Sequence, residues 1–315
     1  MRLSGTSVQA GLALLYLGLG LASAFVWSRI ADLPRLPSWH MEMIYGTAPA
    51  PNQYRPLTPW IAELLCRVLP GHSLHTSYLL LRGLVTGVTL LLFDRYLRTW
   101  FRPGASAAGA LCLGAIIPFT YLRVVQESDP ISLLVFVFAF WALARERDGY
   151  LLPLVLVGTL NRETTAMIPA LYALARWGTA PVRQVIWRTI ALALSWAAVY
   201  AMLLLIYGHR PYYCDVVMVW QNLGSWVPTA CLLLLFGVMW VLPFLGPRSG
   251  PTILRRALWL LLPYVALHYV VARVVEVRLF LAFAPVVIPL SWWRLFPAER
   301  SPTKESTASA GPITE

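Results

Sequence analysis

The sequence predicts an all-α fold, a polytopic bundle of transmembrane helices, and three observations lead to this prediction. Of the 315 residues, 58% are hydrophobic and only 12% are charged, whereas a soluble domain carries about 25% charged residues. The apolar residues gather in long runs, many of them near the length of about 20 residues that crosses a bilayer as a helix. No strand-type alternation stands out, and backbone groups in lipid must bond within their own segment, which favours helices.

We expect about ten membrane segments in a single domain that covers residues 1–298. They lie at 8–27, 74–93, 105–122, 130–145, 150–160, 164–178, 185–207, 227–246, 254–272 and 277–296. The fourth, fifth and sixth segments are short, and the last two of these are candidates for a broken or re-entrant pair. The tail at 299–315 is rich in Ser, Thr, Pro and Glu, and this composition predicts a disordered cytoplasmic segment.

The net charge of +11 follows the membrane topology and does not require a nucleic-acid partner. With the N-terminus placed in the cytoplasm, most Lys and Arg residues fall on the inner side and most Asp and Glu residues on the outer side, which is the positive-inside pattern. We therefore expect a multi-pass protein of a bacterial inner membrane, with both termini inside. The small residues Ala22–Ala24 leave a cleaved signal peptide as the less favoured alternative to a first span.

Polar residues concentrate in the outer segments, so an active site is expected to face outward. The first outer segment runs from residue 28 to about residue 73, and all five histidines of the chain lie on this side or near it. Within this segment, residues 58–69 begin with Thr-Pro and repeat apolar residues at helical spacing, which predicts an amphipathic helix on the membrane surface. A helix that only plugs the bundle is an equally good interpretation.

The later outer segments carry charged residues at helix ends, and each has a structural alternative to a role in function. Asp129 precedes an apolar helix, where the helix dipole favours an acidic cap. Arg162 and Glu163 are neighbours, and a structural ion pair at a broken helix would explain them. Glu276 and Arg278 stand two positions apart, so on an α-helix they would not face each other, and we expect each to find another partner.

Several of these elements together resemble the GT-C superfamily of polytopic membrane glycosyltransferases. They are the first outer loop with Glu42 and Tyr45, the Tyr54–Pro59 segment, Asn161–Thr164, and Glu276–Arg278 before Pro285 and Pro289. The resemblance covers residues 8–296 and implies transfer of a sugar from a polyprenyl-phosphate donor to an acceptor on the exoplasmic face. It also implies a catalytic Asp or Glu in the first outer loop, where this chain has the single acids Asp32 and Glu42 instead of a pair.

The resemblance suggests roles for nine residues. Glu42 is the first candidate for the base that takes the proton of the acceptor hydroxyl, with Asp129 and Asp32 as alternatives. The candidates for substrate binding are Tyr54, Arg55, Arg162, Glu163, Glu276 and Arg278. Arginine suits a phosphate group because its planar guanidinium binds phosphate through two hydrogen bonds. The expected partners are a lipid-linked sugar donor and membrane lipids. The four cysteines show no metal-type spacing, and His72 and His75 have a helical metal spacing but no third ligand nearby, so a divalent metal as cofactor stays open.

A transporter or flippase of a lipid-linked glycan is the alternative function, and a non-catalytic membrane scaffold is a third. A transporter is expected to carry ionisable residues at mid-membrane and structurally related halves. The sequence shows no internal repeat and few charges inside its apolar segments, with Arg82 as the exception. A scaffold would not need so many outer carboxylates and arginines, so we favour the transferase.

Overall fold

The all-helical expectation is confirmed for the residues that a computed structural model describes, which are 5–122, 127–212, 215, 217–245 and 250–301. These residues form α-helices and short 3-10 helices that are connected by turns. Two isolated β-bridges pair residues that are distant in sequence. In chain order the α-helices are α1 (Gly5–Ile30), α2 (Leu36–Ile44), α3 (Leu57–Val68), α4 (Leu74–Leu97), α5 (Pro103–Ile116), α6 (Asp129–Ala144), α7 (Leu151–Asn161), α8 (Met167–Arg176), α9 (Val182–Tyr207), α10 (Val219–Leu223), α11 (Val227–Phe236), α12 (Thr252–Ala257), α13 (Leu261–Val271) and α14 (Ala284–Leu295).

Six helical segments of the described chain are long and apolar enough to cross a membrane. Their bounds are Ser7–Ile30, Leu74–Leu97, Pro103–Thr120, Val182–Tyr207, Thr252–Val271 and Val277–Leu295. The helix α6 and the segment Val227–Trp240 are apolar but shorter. The chain is therefore compatible with a multi-pass integral membrane protein, whereas the expected total of about ten membrane segments is not confirmed.

The two long helices α1 and α4 run antiparallel and approach each other at glycine residues. Leu17 of α1 lies against Gly87, and Leu21 lies against Gly83. A Cβ atom at Gly20 would lie 2.3 Å from the carbonyl oxygen of Gly83 and 2.5 Å from the amide nitrogen of Gly87. Only glycine at position 20 allows the two backbones to approach so closely, as in other small-residue interfaces between membrane helices.

The helices α7 and α8 form a helical hairpin, as a broken pair would. Arg176 at the end of α8 donates to Asp148, just before α7, with 2.9 Å between Nε and Oδ2. The start of α7 and the end of α8 therefore lie at the same end of the bundle. At the other end the backbone is extended at Arg162 (φ −164°, ψ 138°), and the 3-10 turn Glu163–Ala166 leads into α8. We call residues 162–166 the hairpin tip.

The helix expected on the membrane surface is present as α3. Ala62 is buried where α3 packs against its neighbours, while Trp60, Leu64 and Val68 are exposed. An apolar face that is left open beside a packed face suits a helix at a membrane interface. Its orientation relative to a membrane stays a prediction.

The first residues of the expected tail are held by backbone hydrogen bonds to the turn between α4 and α5. The Ser301 amide donates to the Trp100 carbonyl at 2.8 Å, and the Arg102 amide donates to the Glu299 carbonyl at 2.9 Å. Residues 302–315 lie outside the described residues, so their disorder stays a prediction.

Candidate functional site

Two arginines and one carboxylate meet between the hairpin tip and the start of α6. Arg162 Nη1 donates to Asp129 Oδ1 at 2.6 Å, and Arg278 Nε lies 3.3 Å from Asp129 Oδ2. None of the three side chains is more than 13% exposed. Asp129 also opens α6, where the positive end of the helix dipole stabilises its charge. The expected helix-end acid is therefore also the centre of a buried ion cluster.

Glu276 extends this cluster through Arg278. Arg278 Nη2 donates to Glu276 Oε2 at 2.6 Å. The expectation that these two residues would not face each other is wrong, because the chain is not α-helical here. Glu276 has φ −78° and ψ 63° and precedes the 3-10 helix Val277–Phe283. This turn brings the carboxylate back to the guanidinium two residues later.

On the other side of the hairpin tip, Glu163 is held by Arg55 from the segment between α2 and α3. Arg55 donates to both carboxylate oxygens, with 2.9 Å between Nε and Oε2, the two-pronged geometry typical of arginine. Burial alone would raise the pKa of the Glu163 carboxyl, but the Arg55 guanidinium holds this pKa below its ordinary value. The neighbours Arg162 and Glu163 thus each pair with a residue distant in sequence.

Asn161 ties together the helices behind these ion pairs. Its Nδ2 donates to the Ser128 carbonyl and to Ser132 Oγ, both at 2.9 Å, and its Oδ1 accepts from Thr58 Oγ1 at 2.9 Å. These bonds join α3, α6 and α7. We call the ion-paired residues that they support the arginine–carboxylate network; its members are Arg55, Glu163, Arg162, Asp129, Arg278 and Glu276.

An open cavity of about 490 Å³ lies beside the network. Four network residues are in its wall, namely Arg55, Arg162, Glu163 and Glu276. Other wall residues that matter here are Tyr200, Tyr212, Asp215, Tyr264, His268 and Arg273. Asp129 and Arg278 instead line a small adjoining space of about 20 Å³, which Arg162 shares. The main cavity has the volume of a small-molecule site, which is usually about 300–1,000 Å³.

Aromatic side chains build one wall of this cavity. Trp196 stacks on Tyr200 with 5.5 Å between the ring centroids and 7° between the planes. Tyr54 packs edge-on against Tyr200 at 5.9 Å, and its hydroxyl donates to the Gly208 carbonyl at 2.9 Å. Tyr54 is itself buried, so it supports the cavity wall through Tyr200.

The other two candidate acids lie apart from the network. Glu42 is exposed on α2. Asp32 lies 4.0 Å from the exposed Arg35, as a surface salt bridge would. Among the described residues that line the cavity, neither acid appears. Of the three candidate bases, only Asp129 belongs to the network, and the role of Glu42 stays a prediction.

Two buried groups were not assigned a role from the sequence. Arg82 Nη2 donates to Glu127 Oε2 at 3.3 Å, and its guanidinium lies over Trp27 at 4.5 Å from the ring centroid. Burial raises the pKa of the Glu127 carboxyl in spite of this partner. His268 is in the cavity wall. In the sequence it lies inside an apolar run without a recognisable motif, so being a histidine was the only feature that could have indicated a role for it.

The cavity therefore offers charged groups, aromatic faces and one imidazole to a polar ligand. Within the described ranges, no group of three or more His, Cys, Asp or Glu residues is arranged to hold a metal ion. Comparisons of the chain with protein-family models, with curated proteins and with solved structures found no match.

Proposed function

We propose that this chain is a membrane glycosyltransferase that moves a sugar from a polyprenyl-phosphate donor to an acceptor on the exoplasmic face of a bacterial inner membrane. The observation that carries the proposal is the open cavity of about 490 Å³ beside the arginine–carboxylate network. The resemblance to the GT-C superfamily supplies the class of donor. The cavity supplies a place where a phosphate, a sugar and an acceptor hydroxyl can meet.

The wall of the cavity suits a lipid-linked sugar in three ways. Arg55 and Arg162 carry guanidinium groups that can bind a phosphate, and Arg273 adds an exposed guanidinium. Tyr200 and Tyr212 offer aromatic faces for a sugar ring. The wall is built in part from α9 and α13, which belong to candidate membrane spans, so a polyprenyl chain could reach the site from within the membrane.

The transfer needs a group that takes the proton of the acceptor hydroxyl and groups that stabilise the departing phosphate. Asp129 faces two guanidiniums, which stabilise its charged form and suit it to positioning Arg162 and Arg278. Glu42 is exposed and apart from the cavity. Both carboxylates are therefore tested as bases by removing their charge while keeping their shape.

Transfer can be measured with the purified chain in lipid nanodiscs, a panel of polyprenyl-phosphate hexoses, and an envelope lipid extract as the source of acceptors. We expect release of polyprenyl phosphate from at least one donor. Arg278→Lys keeps the charge but loses the planar guanidinium and its paired hydrogen-bond donors, so donor use should fall while the protein still folds. Equal donor use by Arg278→Lys, Arg278→Ala and the parent would remove the role of this arginine.

The same assay compares the two carboxylates. A general base contributes about 100-fold or more to the rate, so the variant that removes the base should lose this factor and still bind the donor. Near-normal turnover in Glu42→Gln excludes Glu42. Loss of turnover in Asp129→Asn that exceeds its loss of folded protein would support Asp129.

Transport of an intact lipid-linked glycan is the second candidate, and the buried Arg82–Glu127 pair is the observation that favours it. Charged groups inside a membrane bundle often mark a transport pathway. In proteoliposomes, a transporter would move the donor to the other leaflet without releasing polyprenyl phosphate. Donor movement without cleavage, abolished in Glu127→Gln, would replace the transferase proposal.

A further inference from the structure

His268 presents one free nitrogen to the cavity. Its Nδ1 lies 2.8 Å from the carbonyl oxygen of Tyr264. A carbonyl oxygen can only accept a hydrogen bond, so Nδ1 carries the proton, and the neutral ring has its lone pair on Nε2. Within the described part of the chain, Nε2 has no hydrogen-bond partner, although the residue is only 6% exposed and lies in the cavity wall.

The imidazole ring is held in this orientation by its neighbours. The Tyr264 ring lies against it with 3.9 Å between the centroids, and Phe280 packs at 5.6 Å. The Tyr264 hydroxyl donates to the Leu279 carbonyl at 2.8 Å, which fixes the tyrosine in turn. His40 is the contrast within the same chain, because both of its ring nitrogens have partners, the Tyr78 hydroxyl and the Glu63 carboxylate.

The carboxylates of the network are paired with arginines. His268 is therefore a buried proton acceptor that forms no ion pair with an arginine. Glu163 is bound by Arg55 through both oxygens, and Glu276 is bound by Arg278. The remaining acid in the cavity wall, Asp215, is exposed. A group that takes a proton from a substrate must be unprotonated and must have a free lone pair.

We propose that His268 Nε2 is the proton acceptor for the acceptor hydroxyl; this inference rests on the proposed function. The hydroxyl oxygen forms a bond to the anomeric carbon of the sugar, and the bond from that carbon to the phosphate oxygen breaks. Polyprenyl phosphate leaves with the bonding electron pair. The hydroxyl proton moves to Nε2, which becomes an imidazolium that later returns the proton to water.

The free nitrogen can be tested without any substrate. Diethyl pyrocarbonate modifies neutral imidazole at an accessible nitrogen lone pair, and peptide mass spectrometry locates the product. We expect His268 to react in the folded chain in nanodiscs, as the exposed His209 should, while His40 stays protected until the protein is unfolded. Protection of His268 equal to that of His40 would overturn the proposal.

The proton transfer is tested with His268→Asn, which keeps an N–H group for the Tyr264 carbonyl and lacks Nε2. With a polyprenyl-phosphate hexose that the parent uses, turnover should fall about 100-fold or more, while that donor still raises the thermal stability of the variant. His209→Gln is the matched control and should keep the parent rate. Added imidazole should restore part of the rate in His268→Ala, because the small base can enter the vacated space.

The pH profile separates a chemical role from a structural one. The parent kcat/KM should rise as one imidazole loses its proton, and this limb should be absent in His268→Asn. The charged groups that share the cavity wall with His268 are Arg55, Arg162, Glu163, Asp215, Arg273 and Glu276. A parent-like rate and pH profile in His268→Asn would refute the role of His268 and leave the transferase proposal intact. A parent protein that uses no donor would refute both proposals.

Discussion

Replacing Asp129 by Asn is expected to destabilise the folded protein by about 3–5 kcal/mol, the usual cost of removing one partner from a buried ion pair. Asp129 lies 2.6 Å from Arg162 and 3.3 Å from Arg278. Asn keeps the shape of the side chain but loses its charge. Arg278 keeps its second partner Glu276, so most of the cost should come from Arg162, which is left as a buried cation.

Two further variants make this magnitude specific. Asp32→Asn is the same chemical change in a surface pair, 4.0 Å from the exposed Arg35, and it should cost no more than about 1 kcal/mol. The double variant Asp129→Asn with Arg162→Met also removes the guanidinium that lost its partner. It should recover most of the loss, because replacing a whole buried pair by uncharged groups is often close to neutral.

Unfolding in detergent can be followed by tryptophan fluorescence, since the chain has 14 tryptophans, with denaturant added at constant pH. The expected order of stability is parent, Asp32→Asn, the double variant and Asp129→Asn. The reasoning is refuted if Asp129→Asn is as stable as Asp32→Asn. It is also refuted if the double variant is no more stable than Asp129→Asn alone.

Three other predictions follow from the fold and the site. Gly20→Val should separate α1 from α4 and lower the yield and thermal stability of the folded protein, because its Cβ would lie 2.3 Å from a backbone oxygen, whereas Gly18→Val, with open space around it, should not. The pKa of Glu163 is lowered in the folded state by Arg55, so this pair stabilises the protein fully above a pH of about 4.5 and less as the pH falls through the lowered value; in acid titrations of unfolding, Glu163→Gln should weaken that dependence, and an unchanged acid limb would contradict the pairing. A Glu305→Cys probe in a cysteine-free background should react with a membrane-impermeant maleimide only after cells are opened, and labelling in intact cells would reverse the proposed topology.

The sequence was informative about the helices because the bilayer imposes a length on them. Apolar runs predicted the six long candidate spans to within a few residues, and the short runs at 150–160 and 164–178 were candidates for a broken or re-entrant pair. The break itself needs the extended backbone of Arg162, which no local pattern specifies. The number of crossings was harder to predict, because a run of 10–17 apolar residues suits a partly inserted helix as well as a span.

The partners in the site could not be predicted from the sequence, because they are set by contacts between distant segments. Arg55 and Glu163 are 108 positions apart, and the sequence around either residue does not indicate the other as its partner. Glu276 and Arg278 were expected to face apart because an α-helix was assumed where a 3-10 turn forms. Glu42 was preferred as the base for its place in the first outer loop, a criterion that carries no information on distance from the cavity.

The arginine–carboxylate network explains why the carboxylates alone are poor probes of the chemistry. Each of them holds an arginine in place, so a change at Asp129 alters both the stability of the bundle and the position of Arg162. Activity loss in such a variant therefore needs the stability measurement beside it. His268 lies outside the network, on α13, and its Nε2 makes no hydrogen bond within the described residues. Replacing His268 by Asn removes a lone pair and no ion pair, so its effect on turnover reports the proton transfer directly.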